Sequence, residues 1–154
     1  MKRQIMSGVA MLSLTLLAPA GAYAQLAHRV EAVVPFEFTV SGKLLPDGKY
    51  IVTRDASSFL KIESLDGSTA ELALAQYVRS KTPNKEATLV FKRISGEHYF
   101  LSQVWEPGND AGIEVPRCKA ERELIKQVLA SSSPNRERSA GPELVYVTGR
   151  LANF

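Results

Sequence analysis

Two histidines, one cysteine and one Asn-Asp pair are the residues of this sequence best suited to chemistry. His28 and His98 stand without Cys or carboxylate neighbours at metal-ligand spacing. His98 follows Glu97 at the tip of an expected hairpin, where a solvated turn residue is the plain reading. Cys118 is the candidate reactive thiol, because it falls at the expected start of a helix, where the local dipole favours a thiolate. No His or Asp is placed in sequence to serve as its base, so a small, inert, packed residue is the competing reading. Asn109-Asp110 offers a cation one carboxylate in a Pro-Gly loop, which an ordinary turn explains equally well. No Gly-x-Ser-x-Gly elbow, His-Glu-x-x-His or Gly-rich phosphate loop occurs. The residue types point away from an enzyme and call for no cofactor and no metal.

The remaining candidate is an apolar surface. Leu89 to Trp105, LVFKRISGEHYFLSQVW, reads as two strands around a Ser-Gly-Glu turn, with large apolar residues on both faces of each. Tyr99, Leu101 and Trp105 are its candidate ligand or partner surface. A two-residue Gly96-Glu97 turn groups Leu89 and Phe91 with Phe100 and Val104, and Val90 and Ile94 with Tyr99, Leu101 and Trp105. A three-residue Ser95-Gly96-Glu97 turn exchanges the partners, since one residue of slip turns a whole strand over. In either register both faces need cover. The expectation is the opposite side of the fold on one face and a helix on the other, with Leu124 and Val128 against residues such as Tyr99, Leu101 or Trp105.

The elements that would position this hairpin are mostly strands. Val30, Ala32, Val34, Phe36, Phe38 and Val40 alternate with polar residues, the period of a half-buried strand. Pro35 implies an edge, a bulge or a break there. Ser41-Gly42-Lys43 and Pro46-Asp47-Gly48 are turn signals. Strands are expected over Lys49–Arg54, Phe59–Ser64 and Thr69–Ser80; the last, with Ala70, Leu72, Leu74 and Val78 on one side, also suits a helix. After the hairpin comes a loop at 106–112. Over Cys118–Ala130 the pattern changes: Ala120, Leu124, Ile125, Val128 and Leu129 recur at helical spacing, between Pro116 and Ser131-Ser132-Ser133-Pro134. Residues 131–142 are polar and read as a flexible linker, and Glu143–Arg150 reads as a last strand within a C-terminal segment 143–154. The expected fold is mainly β: one antiparallel meander domain, a β-sandwich or small β-barrel, with one C-terminal amphipathic helix.

Lys2 and Arg3, an uncharged apolar run over Ile5–Leu17 and Ala22-Tyr23-Ala24 form a signal-peptide pattern, with cleavage expected after Ala24. The apolar run is shorter than the roughly 20 residues of a membrane span, so no span is expected after cleavage. Cleavage takes 24 of 154 residues and two of 19 basic side chains, leaving 130 residues with 17 basic against 16 acidic groups. That is a one-domain length, residues 25–130 with the linker and last strand, and a balance with no basic stripe for nucleic acid. A single cysteine excludes a disulfide within the chain. The expected location is the periplasm or the medium.

Several stretches resemble a family of small exported bacterial proteins with no assigned activity. They are Val34-Pro35-Phe36-Glu37-Phe38, Gly42-Lys43-Leu44-Leu45-Pro46-Asp47-Gly48-Lys49-Tyr50, Leu89-Val90-Phe91-Lys92-Arg93, Tyr99-Phe100-Leu101, Val104-Trp105, Gly112, Pro116 and Glu121-Arg122-Glu123-Leu124. The resemblance spans most of residues 30–125. It implies export and a common fold, and carries over no catalytic or binding residues. The family typically has Ser at the position of Cys118; with Glu121 three residues on, Ser would complete a capping box, so this helix start is expected to be looser. These readings leave three functions: a non-enzymatic interaction or envelope module with a protein partner, a lipocalin-like carrier of a small apolar ligand, and a small outer-membrane barrel. Arg150 on the presumed lipid side and the amphipathic helix weigh against the third.

Overall fold

The computed structural model describes residues 28–54, 58–131 and 141–152. The signal-peptide segment and most of the 131–142 linker lie outside them. Eleven strands and one helix are found among the described residues. Alternation makes the first strands: β1 (His28–Val34) and β2 (Phe38–Val40) are separated by the Pro35 region, so the proline marks a break. Val30, Ala32, Val34, Phe38 and Val40 all point into the core, while Val33 points out. Ser41 and Gly42, both with positive φ, form a two-residue hairpin turn of the type whose twist suits paired strands. The turn leads into β3 (Lys43–Leu45), a strand where the sequence suggested only turns.

The chain continues through β4 (Gly48–Arg54), β5 (Phe59–Ser64), β6 (Ala70–Leu74), β7 (Gln76–Arg79), β8 (Ala87–Ile94), β9 (His98–Trp105) and β10 (Ala111–Glu114). Then come helix α1 (Lys119–Ser131) and β11 (Glu143–Leu151). The strands form one sheet in the order β3-β2-β9-β8-β11-β1-β4-β5-β6, with β10 joining β9 to β7. The stretch 69–80 is therefore strand, not helix. It breaks at Ala75, so that β6 pairs with β5 and β7 pairs with β10. That switch nearly closes the sheet into a barrel. The order is not a plain meander. β11 inserts between β8 and β1, and β2 runs parallel to β9, which follows it in the chain only after β3 to β8.

The barrel interior is filled by side chains. Phe38, Tyr50, Phe91, Leu45, Leu60, Ile62, Leu89 and Val30 are almost wholly enclosed. Phe38 meets Tyr50 and Phe91 edge to face at ring separations of 5.0 and 5.3 Å, and Phe36 meets Phe91 the same way at 5.2 Å, arrangements that suit the ring quadrupoles. Glu31 and Arg150 point outward and pair at 2.8 Å between β1 and β11. An interior filled with apolar side chains is the opposite of the polar interior of a membrane-spanning barrel. No helix among the described residues is long and apolar enough to cross a membrane.

Candidate functional site: the outer surface and the barrel seam

The hairpin β8–β9 keeps the three-residue register from its turn as far as Phe91 and departs from it beyond. Its turn spans three residues, Ser95-Gly96-Glu97, and Phe91 faces Leu101. Further along, Leu89 faces Val104 and Val90 faces Gln103, so Ser102 is an extra residue and the ladder shifts between Val90 and Phe91. A bulge of this kind re-aims the side chains beyond it. Leu89, Phe91, Leu101 and Val104 consequently all enter the core. Val90, Ile94, Phe100 and Trp105 are buried too, but on the outer face.

The three residues of the candidate surface are thereby separated. Leu101 is an interior residue. Tyr99 is half-buried at the barrel end and stacks on Phe36, with ring centres 3.9 Å apart and planes 16° from parallel. Trp105 lies on the outer face across Gly112, its strand partner in β10, and its indole N–H donates to Gln103 Oε1 at 3.1 Å. They form no common platform. The supposed loop at 106–112 also ends in strand, since β10 begins at Ala111.

The helix reaches the outer face through its first turn. Glu121 is buried there, with Oε1 3.4 Å from Nζ of Lys92 on β8 and 3.8 Å from Nε of Arg117. Leu124, Ile125 and Val128 are half-buried, while Ala120 and Leu129 are exposed. The cover is thus shallower than the helical periodicity implied. Tyr99 and Leu101, expected beneath the helix, belong to the other side. Cys118 occupies the cap position: its sulfur accepts the Glu121 N–H at 3.4 Å. The Glu121 carboxylate engages Lys92 and Arg117 instead of closing a capping box. No group of three or more His, Cys, Asp or Glu side chains among the described residues could hold a metal. His98 is exposed at the start of β9, and the side chain of His28 lies outside the described residues.

Two features of the exterior went unread in the sequence. The first is an apolar strip on β5 and β6. Phe59 and Leu74 are direct cross-strand partners and Leu72 is two residues away; they are 47%, 50% and 60% exposed. The alternation of Ala70, Leu72 and Leu74 therefore marks the outer side of β6, and it is small Ala73 that enters the core. The second is a seam. β3 pairs only with β2, and β6 only with β5, among the described residues. Where a ladder between these edges would complete the barrel, the Lys43 side chain reaches across instead. Its Nζ donates to the Ala70 carbonyl at 3.1 Å and lies 3.3 Å from Glu71 Oε2.

The turn region beside the seam is polar. Ser64, Asp66 and Ser68 are linked by hydrogen bonds, and Tyr50 Oη donates to the Pro46 carbonyl at 2.7 Å. The Ser64 hydroxyl, together with the Ser68 N–H and hydroxyl, lowers the Asp66 carboxyl to about 2. Burial, then the nearby Asp66 and Asp47 charges, push the Tyr50 hydroxyl above its usual value.

No protein-family model matches the chain, and neither curated proteins nor solved structures yield a significant match.

Proposed function

We propose that this chain is an exported, non-enzymatic interaction module that binds a protein partner through the outside of its barrel. The observation that carries the reading is the contrast between interior and exterior. The interior is occupied by interlocking aromatic and aliphatic side chains, whereas Phe59, Leu72 and Leu74 stand exposed side by side on one sheet face. A carrier of an apolar ligand needs an internal cavity, and here Phe38, Tyr50 and Phe91 fill that place. Grouped exposed apolar residues are the usual mark of a protein contact. The signal-peptide pattern at residues 1–24 and the resemblance to small exported bacterial proteins support export.

The test is retention of envelope proteins by the immobilised chain. We expect a partner that is retained by the wild type and lost from Phe59→Glu/Leu74→Glu, a variant that alters only exposed positions. Equal retention by both would overturn the assignment to this surface. Saturable binding of a fluorescent fatty acid, unaffected by the variant, would favour the carrier reading.

A further inference from the structure

We infer that the seam between β3 and β6 is a strand-addition site, which accepts an extended segment of a partner polypeptide as an additional strand. The inference rests on the interaction reading above and specifies its mode. Its basis is the pair of open edges. β3 and β6 each have one edge without a strand neighbour among the described residues. By the alternation of the ladders, Leu44 on β3 and Ala70, Leu72 and Leu74 on β6 turn a row of main-chain N–H and C=O groups to the seam, with the Ala70 carbonyl taken by Lys43. A polypeptide main chain answers such a row group for group, as peptide recognition by sheet edges does; a small apolar molecule offers no matching set.

The pairings also fix direction. Followed strand by strand, one parallel step at β2–β9 among antiparallel ones leaves β3 and β6 running in opposite senses. The same result follows through β10, which is antiparallel to both β9 and β7. A strand inserted between them runs antiparallel to one edge and parallel to the other. Side-chain requirements follow from the flanks. Leu44 and Leu72 are about equally exposed, at 61% and 60%, on the outer side, while Leu45 and Ala73 are enclosed on the inner side. The fitting segment therefore carries apolar residues on both faces, small ones inward, and no proline, which would remove a donor.

Lys43 and Glu71 guard the site. Both follow the inward alternation of their strands, in register with Val40 and Ile62, and inward-pointing charges on edge strands discourage indiscriminate pairing. Their ion pair is open to water on the Lys43 side and partly sheltered on the Glu71 side, so it is modest in strength and an entering strand can displace it.

The experiment is selection of random twelve-residue peptides on the immobilised full chain, followed by amide hydrogen exchange. We expect Pro-poor, alternating peptides whose binding protects the Leu44 and Leu72 amides. Methylating alternate peptide nitrogens should weaken binding at least tenfold, and Lys43→Ser should strengthen it several-fold. Failure to select any peptide, protection confined to other strands, or indifference to N-methylation would overturn the inference. So would association of the chain with itself through these edges, read by sedimentation. An envelope protein that depends on Phe59 and Leu74 but leaves the Leu44 and Leu72 amides unprotected would sink strand addition and leave the interaction reading standing. Retention unaffected by Phe59→Glu/Leu74→Glu, with seam protection present, would do the reverse.

Discussion

Gly112 lies directly beneath the indole of Trp105: a methyl group built on the glycine would stand 2.4 Å from Cε3 and 2.7 Å from Cδ2. The two residues are cross-strand partners, so the ladder holds their backbones together and a methyl group on Gly112 can be accommodated only by moving the indole. Gly112→Ala is expected to destabilise the fold by about 1–3 kcal/mol, the range for overpacking. Trp105 emission should shift to the red as the ring is lifted off β10. Chemical denaturation followed by fluorescence checks both, and unchanged stability would show that the indole has room to move.

Lys92 and Glu121 tie the helix to the barrel, and both side chains are largely sheltered from solvent. Removing one partner strands the other. Glu121→Ala should cost about 1–3 kcal/mol, as expected for a hydrogen bond to a charged group, and the helix should lose exchange protection before the strands do. The double change Lys92→Met/Glu121→Leu should recover most of the loss, because apolar packing often replaces a buried ion pair at no net cost. A double variant as unstable as the single one would show that the pair itself holds the helix in place.

Asp66 gives an acid-limb prediction. Its folded value of about 2 lies below the ordinary 3.8, so the folded state binds a proton less readily than the unfolded chain. A depressed carboxyl contributes stability above its ordinary value, and that contribution is lost as pH falls from about 4 towards 2. Carboxyl NMR titration should place Asp66 near 2. Asp66→Asn should flatten the loss of stability with acid in that window and leave the neutral-to-alkaline side unaltered. A titration near 4 would show that the Ser64 and Ser68 hydrogen bonds do not persist in solution.

Some of this structure was legible in the sequence because period two reports one face at a time. Val30 to Val40 gave strands and a buried face without any long-range information, while Pro35 marked an interruption whose form, a break, only the structure gave. The same rule was incomplete at β6. Leu72 and Leu74 do share a face, but alternation cannot say which face is inside when the other carries Ala73. Ser102 looks like any strand residue, so the bulge that parts Leu101 from Trp105 had no local sign. β10 is four residues beside a Pro-Gly loop, and its pairing with both β9 and β7 is a property of the closed barrel. The seam is still less local, because Lys43 and Ala70 meet only after the seven strands between β3 and β6 in the sheet have been placed. Sequence separation explains why the candidate surface was missed while the core was largely found.

The helix start offers the most direct test of a single atom. Cys118 sits where Ser would cap best, and its sulfur already accepts the Glu121 N–H at 3.4 Å. A thiol is a weaker acceptor than a hydroxyl, and a good cap is typically worth ~1 kcal/mol over a residue that cannot cap. Since the cysteine caps in part, Cys118→Ser should be neutral or stabilising by less than about 1 kcal/mol. Cys118→Ala should be mildly destabilising, because it removes the acceptor altogether. The order Ser, Cys, Ala in melting temperature would identify capping as the contribution of this side chain. If both substitutions cost the same, the half-buried sulfur would be acting through its packing, since serine restores the cap but cannot replace the lost apolar contacts.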